Sequence, residues 1–168
     1  TFTNTMDLNV DAFIPASYIP NEYQKLDVYK RIAAIENRDE MEDMTEELID
    51  RFGDIPKKVE KLLEVAALKA QAHEAYVTAV EQKGDIYTFT MYEKAKVHPE
   101  RIPQLIEGFR GELSFKADAA QPCFVYEKKR RNLKEKQGDP LEITKKVLNG
   151  LKGLLGDEKS GIIDTLSK

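Results

Sequence analysis

Glu46-Glu47-Leu48-Ile49-Asp50-Arg51-Phe52-Gly53-Asp54-Ile55-Pro56 decides how this chain is read. It is the charged end of an amphipathic helix, a glycine stop, and a second helix opened by proline. Glycine at a helix C-terminus enters the left-handed conformation without Cβ strain. Proline in a first turn gives up only an N–H that has no helical partner. Working back from Phe52, the residues Met41, Met44, Leu48 and Phe52 recur at spacings of three, four and four. At about 100° per residue they share one stripe. The pattern predicts a helix over 39–52, N-capped by Asp39 with Glu42 three residues on. Its stripe should be buried. Asp43, Glu46, Glu47 and Asp50 fall on the opposite side.

Outward from this helix, the N-terminal flank reads as a strand and a helix. Leu8, Val10, Ala12 and Ile14 alternate with polar positions, which predicts a strand over 8–14. Pro15 and Pro20 bracket an extended connector. Asn21 then caps a helix over 22–36 with Leu26, Tyr29 and Ile32 or Ala33 on one face. On the C-terminal side, Pro56 opens a helix over 56–74 whose core face is Val59, Leu62, Leu63, Ala66 and Ala70.

The period then changes. Tyr76 to Glu81 and Ile86 to Tyr92 are rich in β-branched and aromatic residues, and Gln82-Lys83-Gly84-Asp85 between them signals a hairpin. His98-Pro99-Glu100 opens a short helix bearing Ile102, Leu105, Ile106 and Phe109. Leu113-Phe115-Ala117 and Phe124 to Glu127 read as two further strands. Asp139-Pro140 opens a last helix with Leu141, Thr144, Leu148, Leu151 and Leu155 on one side. Gly150, Gly153 and Gly156 weaken its end, each by about 1 kcal/mol relative to alanine. Helices first and strands mostly after give an α+β fold, with helices packed on a small, largely antiparallel sheet. The expected organisation is one domain over 1–156 and a flexible tail over 157–168.

Bulk properties narrow the function. A 168-residue chain with 41% hydrophobic and 33% charged residues can bury a core of its own. No apolar run approaches the ~18 residues of a bilayer span. One cysteine, Cys123, excludes an internal disulfide and a cysteine-based metal site. A net charge of −4 argues against the whole domain being a nucleic-acid clamp.

Chemistry is hard to find. Gly153 with Glu158-Lys159-Ser160 misses a phosphate-binding loop at its second glycine, where Glu158 would put a carboxylate against phosphate. His73 and His98 lack the spacing of metal ligands. Cys123, after Pro122, reads as a buried thiol rather than a nucleophile. No catalytic residue, cofactor site or metal site is expected.

Two charged features remain. Lys128-Lys129-Arg130-Arg131 with Lys134 and Lys136 has the composition of a nucleic-acid contact. It lacks interleaved aromatic residues for stacking and reads equally as a solvated linker. Asp43, Glu46, Glu47 and Asp50 lie at i, i+3, i+4 and i+7, with Arg51 placed to pair with Glu47. They form either an ordinary solvated face or a negative ridge that complements an arginine-rich partner.

Ile14-Pro15, Tyr18-Ile19-Pro20, Leu26-x-x-Tyr29-Lys30-Arg31-Ile32-Ala33 and Glu47 to Pro56 together resemble the C-terminal domain of bacterial transcription-repair coupling factors. The resemblance runs from about Asp7 to Leu155. Lys25 departs from it, since arginine is common there, and a lysine loses the bidentate fork. The resemblance implies a non-catalytic regulatory domain of an ATP-dependent DNA translocase, with ATP and magnesium held in a motor upstream. It implies a cytoplasmic protein that binds RNA polymerase, DNA and the excision-repair protein UvrA. This domain, monomeric by itself, would pack on an N-terminal UvrA-binding module similar to part of UvrB, and so mask it. Glu47, Asp50 and Arg51 are the residues implied for that contact, with Asp43 and Glu46 extending it. Reversing Glu47 and Asp50 to lysine should leave the fold intact and release the module. The alternative from the residues alone is a nucleic-acid-binding module acting through Lys128–Lys136.

Overall fold

The computed structural model describes residues 2–155. The expected tail over 157–168 and the Glu158-Lys159-Ser160 end of the loop-like motif lie outside the described residues. The fold is α+β, with five α-helices and an open five-stranded sheet among the described residues. The described residues group into two compact units, a helical one over Asn9–Gln71 and a sheet-bearing one over 2–8 and 72–155.

The helical unit begins with α1 (Glu22–Ala33), capped by Asn21, whose side chain accepts a hydrogen bond from the Gln24 N–H. Its buried residues are Val28 and Ile32, whereas Leu26 is half exposed. The inward face is therefore rotated from the one expected, because Val28 rather than Leu26 completes the stripe. α2 spans Arg38–Phe52. Its cap is Asn37, not Asp39: the Asn37 Oδ1 accepts from the Glu40 N–H, and Glu40 Oε1 accepts from the Glu36 N–H. This is a capping-box-like pair two residues earlier than the expected one, with Glu40 in the role given to Glu42 but reaching back to the N–H just before the cap. Gly53 ends the helix at φ +87°. α3 runs from Lys57 to Glu74, with Pro56 accepting its first backbone bonds from Val59 and Glu60.

The core of this unit is Ile14, Ile19, Val28, Ile32, Ile35, Met44, Leu48 and Val59, with Met41, Phe52 and Tyr18 packed at its margin. The Tyr18 hydroxyl donates to the backbone carbonyls of Leu48 and Gly53 at 3.1 and 2.9 Å. This ties the connector before α1 to the C-terminal end of α2.

In the sheet unit the strand order is β1-β2-β3-β5-β4, from β1 (Thr5–Asp7), β2 (Val77–Lys83), β3 (Ile86–Met91), β4 (Leu113–Lys116) and β5 (Cys123–Glu127). Only the β1–β2 pairing is parallel; the rest are antiparallel. The expected strand over 8–14 is corrected to 5–7. Burial alternates from Phe2 to Ile14, as its pattern requires, but the ladder ends at Asp7. Beyond it the chain enters the helical unit, where the Ile14 N–H donates to the Tyr29 hydroxyl at 2.7 Å. Tyr76 does not open β2. It adopts φ +58°, a left-handed residue that ends α3 and turns the chain into the strand.

The hairpin closes through Gly84-Asp85, with Lys83 opposite Ile86. Tyr87 faces Tyr126 and Phe89 faces Phe124 across β3 and β5, all four buried on one side. Against this side lie α4 (Ile102–Gly108) and α5 (Pro140–Lys152). Phe109 meets Tyr126 edge-on at 6.2 Å, and Gly150 lies so close to Leu105 and Phe109 that a Cβ there would come within 2.8 Å of Leu105. Gly150 thus lets two helices approach. α5 buries Ile143 and Val147 as well as the expected Leu141, Thr144, Leu148 and Leu151.

Candidate docking face on the second helix

The residues of α2 sort by angle. Asp43, Glu46 and Asp50 are exposed, and Asp50 lies about 160° around the helix from buried Leu48. They form the ridge that the spacing predicts, and no ion pair engages them among the described residues. Glu47 is different. It is three residues on from Met44, hence only about 60° around the helix from it. That places it at the edge of the buried stripe, on the side that looks toward α1.

There the Arg31 guanidinium meets it as a fork. Nη2 donates to Oε1 at 2.6 Å, and Nη1 donates to Oε2. Arg51, one turn on, donates to Oε2 as well, at 2.9 Å. Glu47 is therefore a carboxylate shared by two arginines, and one net positive charge remains on the cluster. The hydrogen bonds from Arg31, then those from Arg51, hold the Glu47 carboxyl at about 2, well below its usual range. The same bond raises the Arg31 pKa. All three side chains keep about a third or more of their surface in water. The Arg51 guanidinium also covers the Phe52 ring at 4.8 Å.

Between α1 and α2 runs an open groove of about 330 Å³. It is lined by the apolar Ala34, Ile35 and Met44 and by the charged Arg31, Glu40, Asp43 and Glu47. Of the five residues expected at a contact surface, the structure thus places Asp43, Glu46 and Asp50 on an open ridge, and Glu47 with Arg51 in an internal network. Arg31 was missed. In the sequence it is only a cation in the last turn of α1, and which carboxylate it reaches depends on how α2 crosses α1. Lys25, the departure from the family pattern, pairs locally with Glu22 at 3.3 Å and is largely buried.

The basic stretch behaves otherwise. Arg130 pairs with Asp85 at 2.5 Å, and its Nη1 also donates to the Glu135 carbonyl. Lys128 Nζ donates to the Lys136 carbonyl, and Glu135 and Glu112 accept from the backbone N–H groups of Arg131 and Lys129. The stretch is a loop folded on itself and tied to the β2–β3 turn, with part of its cationic surface used internally. His73 donates Nε2–H to the Phe2 carbonyl at 2.9 Å while stacking on the Phe2 ring, and His98 faces Glu100. Burial raises the Cys123 pKa, as suits a sheet thiol. Among the described residues no three His, Cys, Asp or Glu side chains converge as metal ligands, and no helix is long and apolar enough to cross a membrane.

Comparison with known proteins settles the family. The TRCF domain profile matches residues 8–102. The chain belongs to the TRCF domain family. The transcription-repair-coupling factor of Staphylococcus haemolyticus is 42% identical over 90 residues, covering 54% of this chain, and that of Staphylococcus aureus is 37% identical over 112 residues, covering 67%. The chain spans only 8–9% of the length of these relatives. A crystal structure of the C-terminal domain of transcription-repair coupling factor superposes with a TM-score of 0.66 and 27% identity, covering 90% of this chain and 95% of that one. The α2 ridge and the Arg31–Glu47–Arg51 cluster both lie inside the matched family region.

Proposed function

We propose that this chain is a non-catalytic regulatory domain over residues 1–156 of a transcription-repair coupling factor, and that it masks, by intramolecular contact, the module that recruits UvrA. The protein around it would be an ATP-dependent DNA translocase in the bacterial cytoplasm, with ATP and magnesium bound upstream and with RNA polymerase, DNA and UvrA as partners. One observation carries the reading: within the family region, α2 holds three carboxylates, Asp43, Glu46 and Asp50, exposed together on one side of a rigid helix. Like charges on one face repel by a few tenths of a kcal/mol per pair. An arginine-bearing partner relieves that repulsion.

The energetics suit a restraint that must open. Rim ion pairs contribute about 0–1 kcal/mol each and weaken with salt. Several together hold a closed state by a few kcal/mol, within reach of a competing partner. Calorimetric titration of this chain into a separately produced N-terminal UvrA-binding module, at low and high salt, tests the proposal. Salt-sensitive binding lost in Asp43→Lys/Asp50→Lys is the expected result. Undiminished binding by that variant would remove α2 from the contact.

A further inference from the structure

We infer that the cationic surface running from the loop over 128–138 onto α5 binds the phosphate backbone of duplex DNA, without reading its sequence. The surface lies wholly in the sheet unit and does not depend on the masking reading.

Charge is unevenly placed along this chain. From Lys128 to Lys146 eight lysines and arginines stand against three acids, in a chain whose net charge is −4. A local excess of that sign suits a polyanion. The loop closes on itself through groups that leave most of these cations outside. Lys128 Nζ donates to the Lys136 carbonyl, which fixes the ammonium without neutralising it. Glu112 and Glu135 accept from the backbone N–H groups of Lys129 and Arg131, and Asn132 Oδ1 accepts from the Lys134 N–H. Arg130 alone is spent on an acid, Asp85. Lys129, Arg131, Lys134 and Lys136 are exposed, and no ion pair engages them among the described residues. A loop already closed has less ordering to lose when a partner binds.

α5 continues the surface. Lys145 and Lys146 are exposed on it and make no ion pair among the described residues. With Lys128 and Asn149 they line one hollow, so cations of the loop and of the helix share a surface. Asp139 and Glu142 line it too. Asp139 is committed to the Leu141 N–H at the start of α5. Glu142 is exposed and opposes the cations, which gives the proposal a test of sign. No aromatic residue lies between 128 and 146, so unpaired bases find no ring there to stack on. A duplex needs none, since it offers about one phosphate charge per 1.7 Å of axis. Contacts of this kind carry no base information.

Fluorescence anisotropy of a labelled duplex of mixed sequence, titrated with the chain between 50 and 150 mM NaCl, tests the inference. Expected is binding in the tens of micromolar at 50 mM, with a log–log salt slope of about −3 and hence about 25-fold weaker binding at 150 mM. Lys134→Gln/Lys136→Gln in the loop and Lys145→Gln/Lys146→Gln on α5 should each weaken binding about tenfold and flatten the slope by one to two. Glu142→Gln should tighten it about two- to threefold. Lys30→Gln/Lys57→Gln, which removes the same charge from the helical unit, should bind as the parent does. All seven substituted positions are exposed, and melting temperatures measured alongside check the fold. Should one of the two patch variants unfold, the other decides. The inference is overturned by no binding at millimolar chain in 50 mM salt, by a folded patch variant that binds like the parent, or by equal weakening in Lys30→Gln/Lys57→Gln. Tighter binding to a single strand of the same length overturns the assignment to duplex.

Discussion

Glu47→Lys and Asp50→Lys remove the same charge from the same helix, yet the structure separates them. Asp50 makes no ion pair among the described residues, so its reversal should change stability by no more than about 0.5 kcal/mol, as at ordinary surface sites. Glu47→Lys breaks the contacts to Arg31 and Arg51, two rim pairs worth about 0.2–1 kcal/mol each. It also sets a third cation between two others. At about 5 Å in water, two such repulsions add about 0.8 kcal/mol each before screening. The expected cost at low salt is about 2 kcal/mol, or roughly 4–8 °C in melting temperature for a chain of this size. Urea denaturation at 50 and 500 mM NaCl measures it, and the difference between the variants should shrink at high salt. Equal stability of the two variants at both salts would refute the assignment of Glu47 to an internal network. The Glu47/Asp50 double reversal is therefore a poor probe of docking. Asp43→Lys/Asp50→Lys is the cleaner one.

Acid should reveal the same cluster. Glu47 is held at about 2, so its stabilisation is complete above the ordinary carboxylate value near 4.5 and disappears as pH falls through about 2; the melting-temperature gap between the parent and Glu47→Gln should stay constant above pH 5 and close below it. In alkali, the Tyr126 hydroxyl, buried and donating to Glu112, is pushed up to about 12, so spectrophotometric titration should show a tyrosine that ionises late, with the associated stability lost as pH rises from 10 through 12. Leu48→Ala in the helical unit and Phe124→Ala in the sheet, both at fully buried positions, should each cost about 2–5 kcal/mol by chemical denaturation. Asp85→Ala frees Arg130, and faster tryptic cleavage between 128 and 136 is expected, with no change at other sites.

What could be read in advance was what local pattern determines. The α2 stripe, the Gly53 stop, the turn at Gly84-Asp85 and the helix opened by Asp139-Pro140 each depend on a few neighbouring residues, and each is present in the structure. Misses arose where two local solutions compete. Asn37 and Asp39 both cap well, and Asn37 wins because Glu40 can close the box on the Glu36 N–H. The alternation from Phe2 to Ile14 is a strand pattern throughout, but the ladder also needs a partner strand, which only residues 5–7 find. Ile143 and Val147 were passed over on α5 because a stripe drawn through the leucines alone is narrower than the buried face. The ridge was legible because helical spacing fixes it. The arginine fork on Glu47 was not, since it depends on where a second helix passes.

The parallel pairing of β1 with β2 constrains how the chain can fold. Thr5 sits opposite Ala79, and the whole helical unit lies between them in sequence. Closing β1 onto β2 through an unstructured chain means closing a loop of roughly seventy residues. If the helical unit, which is continuous, forms first, the flexible length falls to roughly ten, nearly three doublings at about 0.6 kcal/mol each. A chain made from its N-terminus also completes that unit before β2 exists. The first strand thus stays unpaired through the making of the helices behind it and gains its partner only with β2.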